Sequence, residues 1–378
     1  MLLEKLSNFI VNWTGFYNIE IGQIGMILIA MLLLYLSISK HFEPLLLVPI
    51  SFGILLSNIP NTGLLREPSA ALFGGLLHYL GLGTWLGIYP PLIFLGIGAM
   101  TDFAPLIANP VTLLLGAAAQ FGIFTSFLGA ILLGFTPAQA GAIGIIGGAD
   151  GPTAIYTSAL LAPEIAAPIA VAAYSYIALV PMIQPPVIKA MTSKEERAIM
   201  MHQLRPVSKA QKMIFPIIVV VLVGLLVPNA MPLVGMLMLG NLLKETGLTD
   251  RLSKTAANEL MNIVTIFLMV TVGASATAER FFTLEFIGIL ALGLAAFVIG
   301  TASGLIFGKV MYKMTGGRVN PIIGAAGVSA VPEAARLSQK LGREANPKSF
   351  LLMHAMGPNV AGVIGSAVAA GVLISILQ

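Results

Sequence analysis

The sequence predicts an all-α polytopic membrane protein, and three observations carry that prediction. Hydrophobic residues fill 57% of the 378 positions and charged residues only 10%, with a mean hydropathy of +0.94. A water-soluble domain carries about 25% charged residues, so this chain has too few polar side chains to cover a surface in water. Apolar runs of spanning length, about 20 residues, recur from end to end. The basic residues gather in short loops between those runs, as the positive-inside rule requires, which accounts for the net charge of +4 without a nucleic-acid partner. Cysteine is absent, which excludes disulfides, thiolate metal sites and a thiol nucleophile together.

Taken in order, residues 1–20 mix Glu4, Lys5 and Glu20 with apolar side chains and lack a small-residue cleavage site. They read as an interfacial N-terminal helix, not a cleavable signal peptide. The first membrane half, 21–186, opens with a span at 21–39, a break at "HFEP" and a shorter run at 45–57. Runs at 70–83 and 84–100 are punctuated by glycine and by Pro90 and Pro91, and "TDFAPLIANP" follows as a turn-rich break. Residues 111–135 span, "GAIGIIGGADGPTAI" interrupts, and 165–186 span again. The long polar loop 187–212 sets Lys189, Lys194, Arg197, Arg205, Lys209 and Lys212 against Glu195 and Glu196, which places it in the cytoplasm. The second half, 213–378, has runs at 213–227, 229–243, 258–276 and 284–308, a polar-rich element at 319–341 and a final span at 350–377. No stretch remains for a folded soluble domain.

The halves resemble each other. "LIFLGIGAM" (92–100) resembles "TIFLMVTVGA" (265–274), and "FLGAILLG" (127–134) resembles "TASGLIFG" (301–308), which sets repeat 1 at about 85–186 and repeat 2 at about 258–378. Each then enters a glycine-rich, proline-containing stretch. Paired interruptions of this kind mark a transporter binding site made from broken helices. The second stretch is flanked by Lys309, Lys313 and Arg318 on one side and by Arg336, Lys340, Arg343 and Lys348 on the other. Both ends therefore favour the cytoplasm, which a re-entrant hairpin satisfies and a crossing does not. If the first stretch is also a hairpin, five spans separate the repeat starts and the second repeat is inverted. The expectation is an inverted-repeat transporter fold with two broken-helix or re-entrant hairpins.

Asp150 is the centre of the chemistry. Irregular backbone at membrane depth survives only inside protein or along a water-filled cavity, and Gly147, Gly148, Gly151 and Pro152 break the helix around this carboxylate. Freed carbonyls, hydroxyls and one carboxylate suit a hard cation, and the same carboxylate can instead take a proton. The plainer alternative is that Asp150 only caps the following half-helix. Tyr176 lies near the middle of its run, where its hydroxyl needs a partner, although most membrane tyrosines are interfacial anchors. Asn320, Ser329 and Glu333 lie in the second stretch, with Gly324 and Gly327 permitting close approach; opposite Asp150 they are candidate cation ligands. Arg336 is either a cytoplasmic anchor or an anion-recognising fork. Asp102 and His354 are weaker candidates, and Glu164 reads as a helix cap.

At these residues the chain resembles a known family. "GGADGPTAIYTSALLAP", "AAYSYIALVPMIQPP" and "NPIIGAAGVSAVPEAAR" are similar to motifs of the β subunits of biotin-dependent, sodium-pumping decarboxylases acting on oxaloacetate, methylmalonyl-CoA or glutaconyl-CoA. The resemblance implies decarboxylation of carboxybiotin, consumption of a proton and export of Na+ from the cytoplasm. It places the sodium and coupling residues at Asp150, Tyr176, Asn320, Gly324, Ser329 and Arg336; Asp150, Tyr176 and Arg336 are the candidate catalytic residues, and Arg336 is the candidate to receive carboxybiotin. It also implies an elevator-like architecture, a homotrimer in the bacterial inner membrane, and three partners: a biotin carrier protein, a carboxyltransferase α subunit and a small membrane γ subunit. Biotin arrives on the carrier, since Tyr312 interrupts the Met-Lys-Met pattern around Lys313 in "MYKMTGG". The short length is more like the methylmalonyl-CoA or glutaconyl-CoA type. No phosphate-binding GxxxxGK[ST] loop is present. A sodium-coupled carboxylate symporter is the alternative use of the same broken helices, and a passive structural subunit is a third reading, against which the buried Asp150 speaks.

Overall fold

The computed structural model describes residues 14–378, and among them there are helices, turns and irregular segments but no strand. Seven helices among the described residues are long and apolar enough to cross a membrane, or eight if the bent pair Leu76–Trp85 and Tyr89–Met100, which meet at 66°, forms one span. The described part of the expected N-terminal helix, 14–20, is turn and bend, consistent with Gly15 and Asn18 as turn formers; the rest of 1–20 lies outside the described residues.

The membrane helices used below are α1 (Ile21–Lys40), α2 (Pro44–Asn58), α3 (Leu76–Trp85), α4 (Tyr89–Met100), α5 (Leu113–Ala119), α6 (Phe121–Leu132), α7 (Pro137–Gly144), α8 (Gly151–Leu161), α9 (Ala166–Met191), α10 (Lys209–Leu226), α11 (Met231–Glu245), α12 (Met261–Ala274), α13 (Leu284–Met314), α14 (Glu333–Ala345) and α15 (Leu352–Leu377). Two crossings depend on glycine. A methyl group at Gly98 would lie 1.9 Å from the Leu237 carbonyl oxygen and one at Gly240 2.0 Å from that of Leu95, which locks α4 on α11. Gly53 against Val270 and Gly273 against Ile50 do the same for α2 on α12. In lipid, where apolar burial offers no preference between helix and solvent, such close backbone contact is a main source of association. α9 runs on through Pro185 and Pro186 to Met191, so residues 187–191, assigned to the loop from sequence, are helical. Prolines are accepted in membrane helices where neighbours satisfy the freed backbone groups.

Both interrupted stretches are hairpins. In the first, a short 3-10 helix (Ile145–Gly148) continues α7, the chain reverses at Ala149 in the left-handed region (φ 56°), and α8 returns. Gln139 Nε2 donates to Glu164 Oε1 at 3.0 Å across the base of this hairpin. In the second, a 3-10 helix (Pro321–Gly327) enters, 328–332 is irregular, and α14 returns, with Ser338 Oγ donating to the Ile322 carbonyl at 3.1 Å.

The bases lie at opposite ends of α9. The first hairpin leads directly into its N-terminus. The second adjoins its C-terminus, where Lys189 pairs with Glu344 at 3.2 Å and Asn346 Nδ2 donates to the Ala198 carbonyl at 3.1 Å. At about 1.5 Å per residue, this helix of 26 residues crosses a hydrocarbon core of about 30 Å. The hairpins thus approach from opposite ends of α9, and their tips meet: the Ser329 N–H donates to the Gly148 carbonyl at 3.0 Å.

Candidate functional site

Glycine sets how closely each hairpin lies against its supporting span. A methyl group at Gly147 would sit 2.4 Å from the Gly122 carbonyl carbon of α6. At the equivalent place in the second hairpin, one at Gly324 would sit 2.0 Å from the Gly304 oxygen of α13, and one at Gly304 would sit 2.1 Å from the Gly324 oxygen. Gly324, a predicted sodium-site residue, therefore stands where two backbones touch. On the other side of the same hairpin, Gly362 of α15 lies against Gly327, where a methyl would come within 2.2 Å of the carbonyl oxygen.

Asp150 sits at the first tip, 5% exposed. One carboxylate oxygen, Oδ1, accepts the Thr153 N–H at 3.2 Å and so caps α8. The other, Oδ2, accepts from Ser366 Oγ of α15 at 2.7 Å. Several buried oxygens around the meeting tips have no hydrogen-bond partner: Thr153 Oγ1, Gln120 Oε1, Ser329 Oγ, Asn359 Oδ1 and the Tyr174 hydroxyl. Buried polar atoms are normally paired, so lone pairs left open beside one carboxylate offer oxygen donors that a cation can use. The single negative charge balances a monovalent ion. The donors present, one carboxylate with hydroxyl and amide oxygens, are the oxygen set that suits a hard ion.

The structure brings Asp150 and Ser329 together through the tip contact. Tyr176 packs its ring on Gly293 beside Ile146 of the first hairpin, but its hydroxyl donates to the Leu290 carbonyl of α13 and not to Asp150. Residues two apart on a helix point about 200° from each other. In "AYSY" it is Tyr174 whose ring covers Gly151, within 2.5 Å of where a methyl would lie. Asn320 is also remote from Asp150. Its Oδ1 accepts the Ile322 N–H at 3.1 Å, and its Nδ2 donates to the carbonyls of Arg197 (3.0 Å) and Ile199 (2.9 Å). It ties the base of the second hairpin to the polar loop, about 14 Å from the tip at the 2.0 Å rise of a 3-10 helix.

Arg336 lies one turn beyond the second tip with its side chain 63% exposed, its Nη1 2.7 Å from Glu333 Oε1. Glu43, in the turn between α1 and α2, lies close to this pair. Burial, then the neighbouring Glu333, pushes the Glu43 carboxyl above its ordinary value, and Arg336 partly offsets this. Of the weaker candidates, Asp102 pairs with Lys212 at 3.2 Å and His354 is buried.

Sequence reading missed the contribution of α15. Asn359 Nδ2 reaches the carbonyls of Ala326 (2.9 Å), Val328 (2.8 Å) and Ala330 (3.4 Å), holding the second tip, while Ser366 holds Asp150. Gln120, at the junction of α5 and α6, donates to the carbonyls of Gly116 (3.0 Å) and Gly362 (3.4 Å). The available signal was spacing: Asn359, Gly362 and Ser366 stand at i, i+3 and i+7 on one helix face. The site is closed. Two surface hollows, of about 630 and 410 Å³, lie at opposite ends of α9, one beside Met191, Glu196 and Lys309, the other beside Pro163, Ala167 and Thr271.

Comparison with known proteins gives one consistent result. The family described as Na+-transporting oxaloacetate decarboxylase beta subunit matches residues 22–377. The chain is 61% identical over 394 aligned residues to the methylmalonyl-CoA decarboxylase subunit beta of Propionigenium modestum, covering 99% of this chain and 100% of that protein. It is 56% identical over 368 residues to the glutaconyl-CoA decarboxylase subunit beta of Acidaminococcus fermentans, with 97% and 96% covered. To the probable oxaloacetate decarboxylase beta chain of Vibrio cholerae it is 51% identical over 417 residues, with 95% and 96% covered.

Proposed function

Since the chain belongs to the family of Na+-transporting decarboxylase beta subunits, we propose that it exports Na+ from the cytoplasm using carboxybiotin presented by a partner biotin carrier. The observation that carries this reading is the buried Asp150 carboxylate at the meeting hairpin tips, among oxygens without partners. Two hairpins approaching from opposite ends of α9 support an inverted-repeat, elevator-like transporter, in which the tips move as a unit against the α2, α4, α11 and α12 layer. The higher identity to the methylmalonyl-CoA and glutaconyl-CoA relatives than to the oxaloacetate chain favours an acyl-CoA substrate for the complex, handled by a carboxyltransferase subunit. A homotrimer with a small γ subunit in the bacterial inner membrane completes the proposal.

The exposed guanidinium of Arg336 fits an anionic group arriving from the cytoplasmic face, because its fork can leave Glu333 for a carboxylate. Carboxylated biotin supplies, when bound, a carboxyl group whose loss as CO2 consumes one proton. Asp150 holds either Na+ or a proton, and so links the two. When Na+ takes the place of the proton on Asp150, that proton is released within the buried site. Asn320 keeps the hairpin base in register with the loop, and Gly324 keeps it against α13.

The test is the purified complex in liposomes, assayed for Na+-dependent decarboxylation of carboxybiotin with and without carrier. Carrier-dependent turnover with Na+ uptake into liposomes whose complexes face the carrier with their cytoplasmic side is expected; Na+-driven carboxylate uptake without carrier would favour a symporter. In the same assay Arg336→Lys retains the charge and loses the bidentate geometry. It is expected to raise the carboxybiotin requirement by roughly tenfold, the effect of one lost charge-assisted hydrogen bond, with membrane orientation intact. Altered orientation with unchanged use of carboxybiotin would make Arg336 an anchor.

A further inference from the structure

We propose that Ser366 is a positioning residue for Na+ at Asp150, its hydroxyl switching between the carboxylate and its own helix according to what the site holds. This rests on the reading of Asp150 as the ion-binding carboxylate.

Ser366 is fully buried in α15, 216 positions from Asp150 in sequence. Its Oγ stands 2.7 Å from Asp150 Oδ2 and 3.0 Å from the Val363 carbonyl oxygen. A hydroxyl has one proton to donate and two lone pairs, so these two bonds are alternatives. Over the free carboxylate the proton points at Asp150 and stabilises a charge that burial would otherwise penalise. When Na+ lies against the carboxylate, the same proton turns to Val363 and the oxygen lone pairs face the ion. Only a rotation about the C–O bond is required, with no movement of the helix.

Location adds to this. Asp150 Oδ1 is already committed to the Thr153 N–H of its own hairpin, so the Ser366 bond connects the carboxylate to a membrane span. The same face of α15 carries Asn359 on the second tip and Gly362 against Gly327. One helix face therefore fixes both tips, and a hydroxyl on that face responds to occupancy between them.

The experiment is Ser366→Ala in the purified complex, with Na+ activation of decarboxylation measured at several pH values. The half-activating Na+ concentration is expected to rise about tenfold or more, as for a lost hydrogen bond to a charged group. Ser158→Ala removes a hydroxyl bonded only to the Ile155 carbonyl of its own helix and should leave the Na+ and pH dependence unchanged. Should the alanine variant fail to assemble, Ser366→Cys carries the same expectation, because a thiol is a weak donor and a poor ligand for a hard cation. An unchanged Na+ requirement across pH in an assembled Ser366 variant overturns the proposal. Asp150→Asn measured alongside separates the two levels: wild-type Na+ activation there removes Asp150 itself, whereas its loss with a normal Ser366→Ala removes only the serine.

Discussion

Asp150→Asn is expected to abolish both Na+ transport and carboxybiotin decarboxylation while the protein inserts and assembles normally. The reason for normal assembly is local. Asparagine caps helices as well as aspartate does, so the bond from the Thr153 N–H to the side-chain oxygen survives. What is lost is the charge. An amide offers a buried cation one oxygen and no countercharge, and it takes up no proton near neutrality. If Asp150 served only as a cap, the variant would be close to silent, so the substitution divides the two readings with a large difference between them. Wild-type Na+-stimulated turnover in Asp150→Asn would remove Asp150 from the mechanism.

Gly324→Ala is expected to cost nearly as much, for a steric reason. The added methyl would sit 2.0 Å from the Gly304 carbonyl oxygen, and a backbone atom has no rotamer in which to yield. The second hairpin must then move off α13 by more than an ångström, which carries Ser329 away from Gly148. Overpacking a core costs roughly 1–3 kcal/mol where side chains can adjust; against backbone, coupled activity should be lost and the thermal midpoint of the detergent-solubilised complex lowered. Gly288→Ala, in α13, is the control. Its methyl would meet Leu133 Cδ1 at 3.8 Å, an ordinary contact, so activity and midpoint should be unchanged. A fully active Gly324→Ala would show that the hairpin tolerates displacement and that Gly324 is not needed for close approach.

Much of this architecture was legible in the sequence because lipid imposes strong rules. Spanning length and charge placement gave the helices to within a few residues, and the basic residues on both sides of 319–341 marked a hairpin before any coordinates. "GGADGP" was legible for the same reason, since a carboxylate among helix breakers inside apolar sequence has few purposes. Periodicity was less informative about which polar residues meet. Tyr174 and Tyr176 are chemically identical and two positions apart, and only the packing of α9 decides that Tyr174 covers Gly151 while Tyr176 bonds to α13. Asn320 reads as a ligand in "NPIIGAAG", yet the 3-10 helix after it carries the tip away and leaves Asn320 at the loop. Ser366 and Asn359 were passed over because hydroxyls and amides commonly bond backbone in membrane helices; their partners lie 216 and about 30 residues away.

The central claim is that Na+ and a proton share Asp150, and the most direct measurement is Na+ activation of decarboxylation by the complete complex in detergent at a series of pH values. A protonated carboxylate offers the cation one charge fewer, and a bound cation disfavours protonation. The account therefore predicts that the half-activating Na+ concentration rises about tenfold per pH unit on the acid side, the limit for one competing proton, and levels off above it. A half-activating concentration that stays constant across that range would contradict shared occupancy and place Na+ binding away from Asp150.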